Sequence, residues 1–268
     1  ESPIRKLVSK ILIDGNIVRN IVAGANITKE DYVLEIGPGI GTLTEELSLN
    51  AKKVVAVELD KNLLPVLADT LSEYSNIEII HNDILKVDME SLIRERLNCG
   101  PVKIVANLPY YVTTPIIAKL LEENLNIQSI TVMVQKEVAD RMIAKPGSKT
   151  YSSLSVFINF YANSQIILRV PKSVFMPQPK INSAVIKLDI KRDLPDINRK
   201  QFFKIVKAAF SKRRKTILNA LSSYGLDLDK EYIRIALEKI NINPNLRAEA
   251  LTMEDFINIS EILPPLNI

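Results

Sequence analysis

The tetrapeptide Asn107-Leu108-Pro109-Tyr110 combines groups that could make a weakly nucleophilic amino group react. The amino nitrogen of adenine is a poor nucleophile because its lone pair is delocalised into the ring. The Asn107 side-chain oxygen and the Leu108 carbonyl, aimed at the amino hydrogens, would localise that lone pair toward a methyl donor. Pro109 holds Leu108 outside the helical region and so fixes the direction of its carbonyl. The motif predicts methylation of an amino nitrogen, with Tyr110 as a stacking ring, and an ordinary proline turn is the alternative.

A glycine-rich loop, Glu35-Ile36-Gly37-Pro38-Gly39-Ile40-Gly41, follows a β-branched run. Its glycines allow a tight turn and a close approach of the backbone to a ligand, although a purely structural turn would look alike. Glu58 stands 58 − 37 = 21 positions after Gly37, the spacing at which an acidic side chain reaches both hydroxyls of a ribose. Asp83, after the next predicted strand, could accept the adenine amino group. Together these residues predict an adenosine-containing ligand.

The same loop indicates which adenosine compound binds. A dinucleotide site favours the spacing G-x-G-x-x-G and a pyrophosphate at the helix N-terminus, whereas this loop reads G-x-G-x-G. The preceding Glu35 is a carboxylate, which suits a cationic ligand better than a pyrophosphate. S-adenosylmethionine, with its sulfonium and ammonium groups, is therefore the predicted cofactor, and a NAD-dependent enzyme is disfavoured.

Short β-branched runs alternate with helical patterns from about residue 30 to 190, which predicts an α/β fold with a mostly parallel, doubly wound sheet. The predicted strands cover residues 32–36, 53–58, 77–81, 103–106 and 129–134, with edge strands over 156–161, 165–170 and 184–190. The predicted helices cover residues 42–49, 63–71, 91–97, 115–121 and 136–143. Each candidate site residue above then follows a strand at one edge of the sheet.

The pattern changes near residue 192, so we predict a first domain over residues 1–191 and a small all-helical domain over 192–268. Apolar residues at three- and four-residue steps predict one amphipathic helix across residues 202–221. Further helices are predicted over residues 233–239 and 253–262.

Basic charge is concentrated in this second domain. Residues 1–190 contain 21 basic and 21 acidic residues, whereas residues 191–268 contain 14 and 10. Residues 197–226 carry eight basic residues and no acidic one. Such a stretch is either a solvated helix face or a surface for phosphates, and the second interpretation predicts RNA contacts from Lys207, Lys212, Arg213, Arg214 and Lys215.

Composition excludes several classes of site. One cysteine, Cys99, rules out an internal disulfide, and one histidine, His81, removes most zinc sites and any histidine-based triad. No apolar run approaches the roughly 20 residues needed to span a bilayer. We therefore expect a metal-independent, cytoplasmic protein without a membrane partner, acting as a monomer.

The chain resembles the KsgA-type ribosomal RNA adenine N6-dimethyltransferases, which are relatives of the Erm methylases. The resemblance covers nearly the whole chain and rests on the glycine-rich loop, Val57-Glu58-Leu59-Asp60, Asn82-Asp83, Asn107-Leu108-Pro109-Tyr110-Tyr111 and Gln135-Lys136-Glu137-Val138. Four further stretches are specific to the KsgA-type branch: Val170-Pro171-Lys172, Phe175-Met176-Pro177-Gln178-Pro179-Lys180, Ser183-Ala184-Val185 and Phe210-Ser211-Lys212-Arg213-Arg214-Lys215-Thr216.

The resemblance implies a Rossmann-like class I methyltransferase that transfers two methyl groups to each of two adjacent adenosines. These adenosines lie in the 3′-terminal hairpin loop of small-subunit (16S) ribosomal RNA, within the immature 30S subunit, and their methylation belongs to ribosome biogenesis. It further implies that Leu12, Leu59 and Ile84 contact the cofactor, that Phe175 packs the target base, and that the helical domain grips RNA. Two alternatives remain: a non-catalytic ribosome-assembly factor and an Erm-type enzyme acting on large-subunit RNA.

One stretch departs from the family pattern. Lys10 runs directly into Ile11-Leu12-Ile13-Asp14, where the family has Gly-Gln-Asn before the matching Leu12. We therefore expect that roughly a dozen residues of a mobile loop are missing between Lys10 and Ile11. Intact mass spectrometry tests this, because a mass equal to 30.1 kDa would contradict it.

Overall fold

The computed structural model describes residues 14–267 and, for residues 11 and 12, the course of the backbone. The chain divides into two compact units. The sheet unit contains the described residues up to Ala139 together with Asn163–Ile190, and the helical unit contains Asp140–Ala162 and the described residues from Lys191 onward. The division near residue 190 is close to the predicted domain boundary, but residues 140–162, which the sequence pattern places in the first domain, belong to the helical unit. Within the described residues, no helix is long and apolar enough to cross a membrane.

The described strands are β1 (Ile11–Leu12), β2 (Tyr32–Ile36), β3 (Lys53–Glu58), β4 (Ile77–His81), β5 (Val102–Ala106), β6 (Ile127–Gln135), β7 (Ala162–Val170), β8 (Phe175–Met176) and β9 (Ser183–Ile190). Seven of them form one sheet in the order β4-β3-β2-β5-β6-β9-β7, and β1 pairs separately with β8. Strands β4, β3, β2, β5 and β6 run parallel, and β9 is antiparallel to β6. The predicted α/β class and mostly parallel sheet are confirmed.

The described helices are α1 (Gly15–Gly24), α2 (Thr42–Asn50), α3 (Leu64–Thr70), α4 (Met89–Arg96), α5 (Tyr110–Glu122), α6 (Lys136–Met142), α7 (Ser153–Tyr161), α8 (Arg199–Phe210), α9 (Ile217–Ser222), α10 (Lys230–Lys239) and α11 (Met253–Ile262). Central strand residues such as Leu34, Val55 and Ile104 are fully buried, as expected of parallel strands covered on both faces. Helices α1 and α2 bury their apolar residues in one cluster with Val33 and Val54.

Strand register brings the candidate site together. Ile36 at the end of β2 lies beside Val57 of β3 and Ala106 of β5. Glu58 lies beside His81 at the end of β4. The segments that follow these four strands therefore leave the sheet at one edge, where doubly wound sheets bind their ligands.

Residues 156–161 are helical, so the prediction of an edge strand there is wrong. They belong to α7, whose entry is stabilised by a hydrogen bond from the Ser152 amide to Ser155 Oγ at 3.0 Å. A short apolar run fits a buried helix and a buried strand equally well. The environment decides here, because Phe160 is 2% exposed and packs on Phe202 and Phe203 of α8.

The helix predicted across residues 202–221 is two helices. Helix α8 ends at Phe210, and α9 begins at Ile217 after Thr216, whose side chain accepts a hydrogen bond from the Asn219 amide at 3.3 Å. The four consecutive cations of residues 212–215 lie between them, exposed, with a backbone bond from Lys215 to Lys212. Adjacent like charges with no apolar surface to bury favour a solvated turn over a continued helix. The basic residues therefore occupy a loop, which we call the basic loop.

Candidate functional site

A cavity of about 520 Å³ opens where β2, β3, β4 and β5 end. Its volume lies within the range of small-molecule sites in proteins. It brings together eight of the residues predicted to act: Gly37, Glu58, Leu59, Asp83, Ile84, Asn107, Leu108 and Pro109. The two motifs singled out in the sequence, 70 residues apart at Gly37 and Asn107 (107 − 37), thus share one cavity.

The glycine-rich loop packs directly on the segment Asn107–Tyr110, which is the predicted catalytic motif and is called the catalytic motif below. Gly37 has φ +72°, and a Cβ added there would lie 2.8 Å from Leu108 Cδ2. Gly41, with φ +96°, occupies the N-cap position of α2. The loop therefore needs glycine both for its left-handed backbone and for its approach to Leu108. Gly39 and Gly41 do not line the cavity and instead shape the loop.

Glu58 joins the glycine-rich loop to the segment after β3. Its Oε2 accepts a hydrogen bond from the Gly39 amide at 3.3 Å, and its Oε1 accepts one from the Asp60 amide at 2.7 Å. The side chain is only 6% exposed, yet it lines the cavity. Because each carboxylate oxygen carries a second lone pair, Glu58 keeps capacity to accept hydroxyl groups from a ligand.

Glu35 lies behind the cavity wall at 1% exposure and does not line the cavity. Burial raises the pKa of its carboxyl to about 8; the Thr44 hydroxyl offsets part of this rise, and the charge of Glu58 adds to it. Its Oε2 finds no hydrogen-bond partner among the described residues. Burial therefore favours the protonated carboxyl, and a positively charged ligand in the neighbouring cavity would favour its ionised form.

Asp83 and Leu85 from the segment after β4, and Leu59 from the segment after β3, line the same cavity. Asp83 Oδ1 accepts a hydrogen bond from the Leu85 amide at 3.0 Å, and the Asp83 amide donates to Asn82 Oδ1 at 2.8 Å. Leu59 and Leu85 both line the cavity with exposed side chains. Apolar surface beside a fixed carboxylate matches the flat ring and the amino group of an adenine.

The catalytic motif runs straight into α5, which begins at Tyr110, five residues earlier than predicted. Pro109 is the N-cap, and its carbonyl accepts hydrogen bonds from the Val112 amide at 3.2 Å and from Thr113 Oγ1 at 3.1 Å. Pro115, which suggested a helix start, lies inside the helix. The first turn of α5 therefore holds the motif rigidly at the sheet edge.

The two tyrosines of the motif point differently. The Tyr110 hydroxyl is hydrogen bonded to the Ser183 hydroxyl of β9, the ring is half-buried, and burial raises the pKa of the phenol. Tyr110 does not line the cavity, whereas the neighbouring Tyr111 does, with 82% of its surface exposed. Our sequence reasoning gave Tyr111 no role. The pair of adjacent tyrosines after Pro109 was the sequence feature that could have indicated it.

Phe175, predicted to pack the target base, does not line the cavity. Phe175 is 3% exposed and belongs to a core cluster with Val170 and Val185. Its strand β8 pairs Phe175 with Leu12 of β1. The side chain of Leu12 and the Lys10–Ile11 junction lie outside the described residues.

Exposed basic side chains form a separate group in the helical unit. Lys207 and the four cations of the basic loop are all exposed, as predicted contacts with phosphate must be. Arg213 donates a hydrogen bond to the Lys149 carbonyl at 2.8 Å, which ties the basic loop to the segment between α6 and α7. Lys145 and Lys149 of that segment are also exposed. The sequence pattern did not reveal these two lysines because they precede the basic loop by more than 60 positions.

In the part of the chain that the structure describes, no group of three or more His, Cys, Asp or Glu side chains could hold a metal ion.

Comparison with known proteins identifies the family. A model of the family described as "Ribosomal RNA adenine dimethylase" matches residues 4–264. The chain belongs to this family. The resemblance seen in the sequence is confirmed, as are methyl transfer as the reaction and S-adenosylmethionine as the methyl donor.

The most similar relatives support the family assignment. "Ribosomal RNA small subunit methyltransferase A" of Clostridioides difficile is 49% identical over 261 residues, which cover 97% of this chain and 90% of the relative. The protein of the same name from Alkaliphilus oremlandii is 51% identical over 255 residues, covering 94% and 88%. A crystal structure of a dimethyladenosine transferase from Plasmodium falciparum matches with a TM-score of 0.79 and 26% identity, covering 93% of this chain and 95% of that one.

Proposed function

We propose that this family member dimethylates the N6 amino groups of two adjacent adenosines in the hairpin loop at the 3′ end of small-subunit ribosomal RNA. The observation that carries the proposal is the meeting of Asn107 and Leu108 with Glu58 and Asp83 in one cavity. Asn107 and Leu108 offer acceptors for the target amine, and Glu58 and Asp83 offer acceptors for the adenosyl group of the donor. The small-subunit name of relatives 49% and 51% identical favours this substrate over large-subunit RNA.

Several side chains are suited to holding S-adenosylmethionine. Glu58 accepts hydrogen bonds from the ribose hydroxyls. Its carboxylate oxygens each keep one lone pair that the Gly39 and Asp60 amides do not use. Asp83 accepts the adenine amino group, and Leu59 and Ile84 supply apolar contacts to the ring. Glu35, behind the glycine-rich loop, is kept protonated near neutral pH by burial, and the positive charge of the bound cofactor would favour its ionised form. When bound, the cofactor supplies an electrophilic methyl group on a positively charged sulfur.

The catalytic motif activates the target nitrogen. The Asn107 side-chain oxygen and the Leu108 carbonyl each accept a hydrogen bond from the N6 amino group, which favours tetrahedral over planar geometry and localises the nitrogen lone pair toward the methyl group. As the N–C bond forms, the sulfur would keep the electron pair of the broken S–C bond, and N6 would release one proton to solvent. Gly37 supports this geometry because Leu108 packs against it. After the first methylation a single N6 hydrogen remains, so one of the two acceptors must position the amine for the second transfer.

RNA is held by the helical unit through phosphate contacts. Lys207 and the basic loop supply five cations, namely Lys207, Lys212, Arg213, Arg214 and Lys215, all exposed to solvent. Lys149, whose carbonyl accepts a hydrogen bond from Arg213, adds a further exposed cation. Such contacts provide affinity without reading sequence. We further propose that the protein acts as a monomer on the immature 30S subunit in the cytoplasm. The sheet unit binds the cofactor and carries out methyl transfer, and the helical unit binds RNA.

The decisive experiment supplies methyl-labelled S-adenosylmethionine and unmethylated small subunits, followed by mapping of modified nucleotides. The expected product is N6,N6-dimethyladenosine at two adjacent positions of the 3′-terminal hairpin loop. Label confined to large-subunit RNA would replace the substrate with that of the Erm-type alternative. Cofactor binding without label in any RNA would favour the non-catalytic assembly factor.

A further inference from the structure

The ring of Tyr111 stands open at the mouth of the cavity. Tyr111 is 82% exposed and lines the cavity together with Leu59 and Leu85, which are 66% and 43% exposed. Scattered exposed apolar side chains are ordinary, but several around the mouth of one cavity indicate a contact surface. The surface is continuous with the position of Asn107, which lines the same cavity.

Tyr111 and Tyr110 cannot play the same part. Successive residues of a helix point about 100° apart, and the Tyr110 hydroxyl is already engaged with Ser183 inside the sheet unit. Tyr110 therefore lies within the protein and Tyr111 faces outward in the first turn of α5. That turn also carries no acidic side chain, so it does not repel a phosphate backbone.

We propose that Tyr111 stacks on the RNA base adjoining the target adenosine and so positions the strand while the target base is in the cavity. This inference rests on the proposed function. Drawing an adenine out of its stack exposes a face of the neighbouring base to water, and an exposed aromatic ring at the cavity mouth covers that face. Stacking accepts any base, so one ring serves whichever of the two adjacent adenosines is being methylated.

The competing role for the ring is a cover over the bound cofactor, because Tyr111 shares the cavity wall with Leu59 and Asp83. The two roles differ in the ligand they affect. If the ring stacks on a base, its removal changes the KM for RNA and leaves the KM for S-adenosylmethionine unaltered. If the ring covers the cofactor, its removal changes mainly the KM for S-adenosylmethionine.

The test compares Tyr111→Ala, Tyr111→Phe and Tyr232→Ala on unmethylated small subunits. Tyr232 on α10 is the control, an exposed tyrosine of the helical unit. Tyr111→Ala should raise the KM for the subunit roughly tenfold, the loss expected for one stacked base, and Tyr111→Phe should restore it because the ring suffices. An unchanged KM for the subunit, or a raised KM for the cofactor alone, would overturn the inference.

A second measurement uses the absence of tryptophan from the sequence. Tyr111→Trp introduces a single indole, whose fluorescence should be quenched by a hairpin RNA with two adjacent loop adenosines and not by S-adenosylmethionine. Quenching by the cofactor alone would assign the ring to the cofactor site. If the unaltered protein methylates no adenosine, the proposed function has failed; if it is active and Tyr111→Ala equals it, only the stacking inference has failed.

Discussion

The Gly39 amide donates a hydrogen bond to Glu58 Oε2 across 3.3 Å, so one carboxylate joins the loop after β2 to the end of β3. The other oxygen of Glu58 accepts from Asp60, whose own side chain caps the short helix Lys61–Leu63. Two segments of the proposed cofactor site therefore share a single anchor. A change at Glu58 alters both their relative position and the group that we propose accepts the ribose hydroxyls.

Glu58→Gln should weaken S-adenosylmethionine binding about ten- to hundredfold, since hydrogen bonds to a charged group contribute roughly 1.5–3 kcal/mol. The amide keeps the volume of the side chain but removes its charge and replaces one acceptor with a donor. Titration calorimetry measures the change. Glu73→Gln, at an exposed carboxylate outside the cavity, is the matched control. Equal affinities for the two variants would remove Glu58 from the cofactor site.

Strand ends were the most predictable part of this molecule. Strands β2, β3 and β4 have the predicted limits because each is a short run rich in β-branched and other apolar residues that is followed by turn residues. Their order then brings Glu58, Asp83 and Asn107 to one edge. That part of the site follows from sequence spacing and topology.

The sequence pattern missed two features of the structure because both depend on tertiary packing. Residues 156–161 carry an apolar run compatible with either element, and only the aromatic side chains of α8 make it a helix. Whether Tyr110 or Tyr111 faces the cavity depends on the first turn of α5 and on Ser183, which is 73 positions distant. No local pattern contains that information.

Phe160→Ala should lower the free energy of unfolding by about 3–5 kcal/mol, the usual cost of removing a buried phenylalanine ring. Phe160 is 2% exposed and contacts Tyr161, Phe202 and Phe203. Urea denaturation followed by circular dichroism measures the loss. Tyr232→Ala, at an exposed ring of the same unit, should change it by less than about 0.5 kcal/mol. Similar values for both variants would contradict the packing of α7 on α8.

The carboxyl of Glu35 predicts a pH dependence of stability. Its pKa is raised from 4.5 to about 8 in the folded protein, with burial as the main cause. Between these values the unfolded chain loses the proton first, so the contribution is full below about pH 4.5 and is lost as the pH rises through about 8. Glu35→Gln should be more stable than the parent at pH 8.5 and lack this slope.

Urea denaturation of the parent and Glu35→Gln at several pH values between 5 and 9 tests this directly, with no cofactor present. Thr44→Val provides a second comparison, because the Thr44 hydroxyl lowers the pKa of Glu35. Its removal should raise that pKa further, so that the loss of stability continues to higher pH with the same slope. Parallel stability profiles for the parent and Glu35→Gln would show that Glu35 is ionised in the folded protein throughout.

Asn107→Ala should reduce the rate of methyl transfer by about 10²–10³, the loss typical of removing one preorganised polar contact in a transition state. Affinity for S-adenosylmethionine and for small subunits should stay close to that of the parent. Single-turnover assays with labelled cofactor separate the transfer step from binding. A variant with parental turnover would refute the role of the Asn107 oxygen as an acceptor for the N6 hydrogens.

Charge reversal in the basic loop should weaken RNA binding without affecting the cofactor. The double variant Arg213→Glu with Arg214→Glu should lower affinity and flatten the dependence of log K on log salt by about one for each lost phosphate contact. Lys239→Glu on α10 is the control, a basic residue outside residues 197–226. Unchanged salt dependence in the double variant would exclude the basic loop from RNA binding.

The single variants should separate the two arginines of the loop. Arg213 donates to the Lys149 carbonyl at 2.8 Å, so Arg213→Ala should speed hydrogen exchange across the segment between α6 and α7. Arg214→Ala should leave that exchange unchanged and reduce the salt dependence of RNA binding by about one. If both variants change exchange equally, the tie to Lys149 is not specific to Arg213. If neither does, the segment is held without the guanidinium, and Arg213 acts on RNA as a phosphate contact alone.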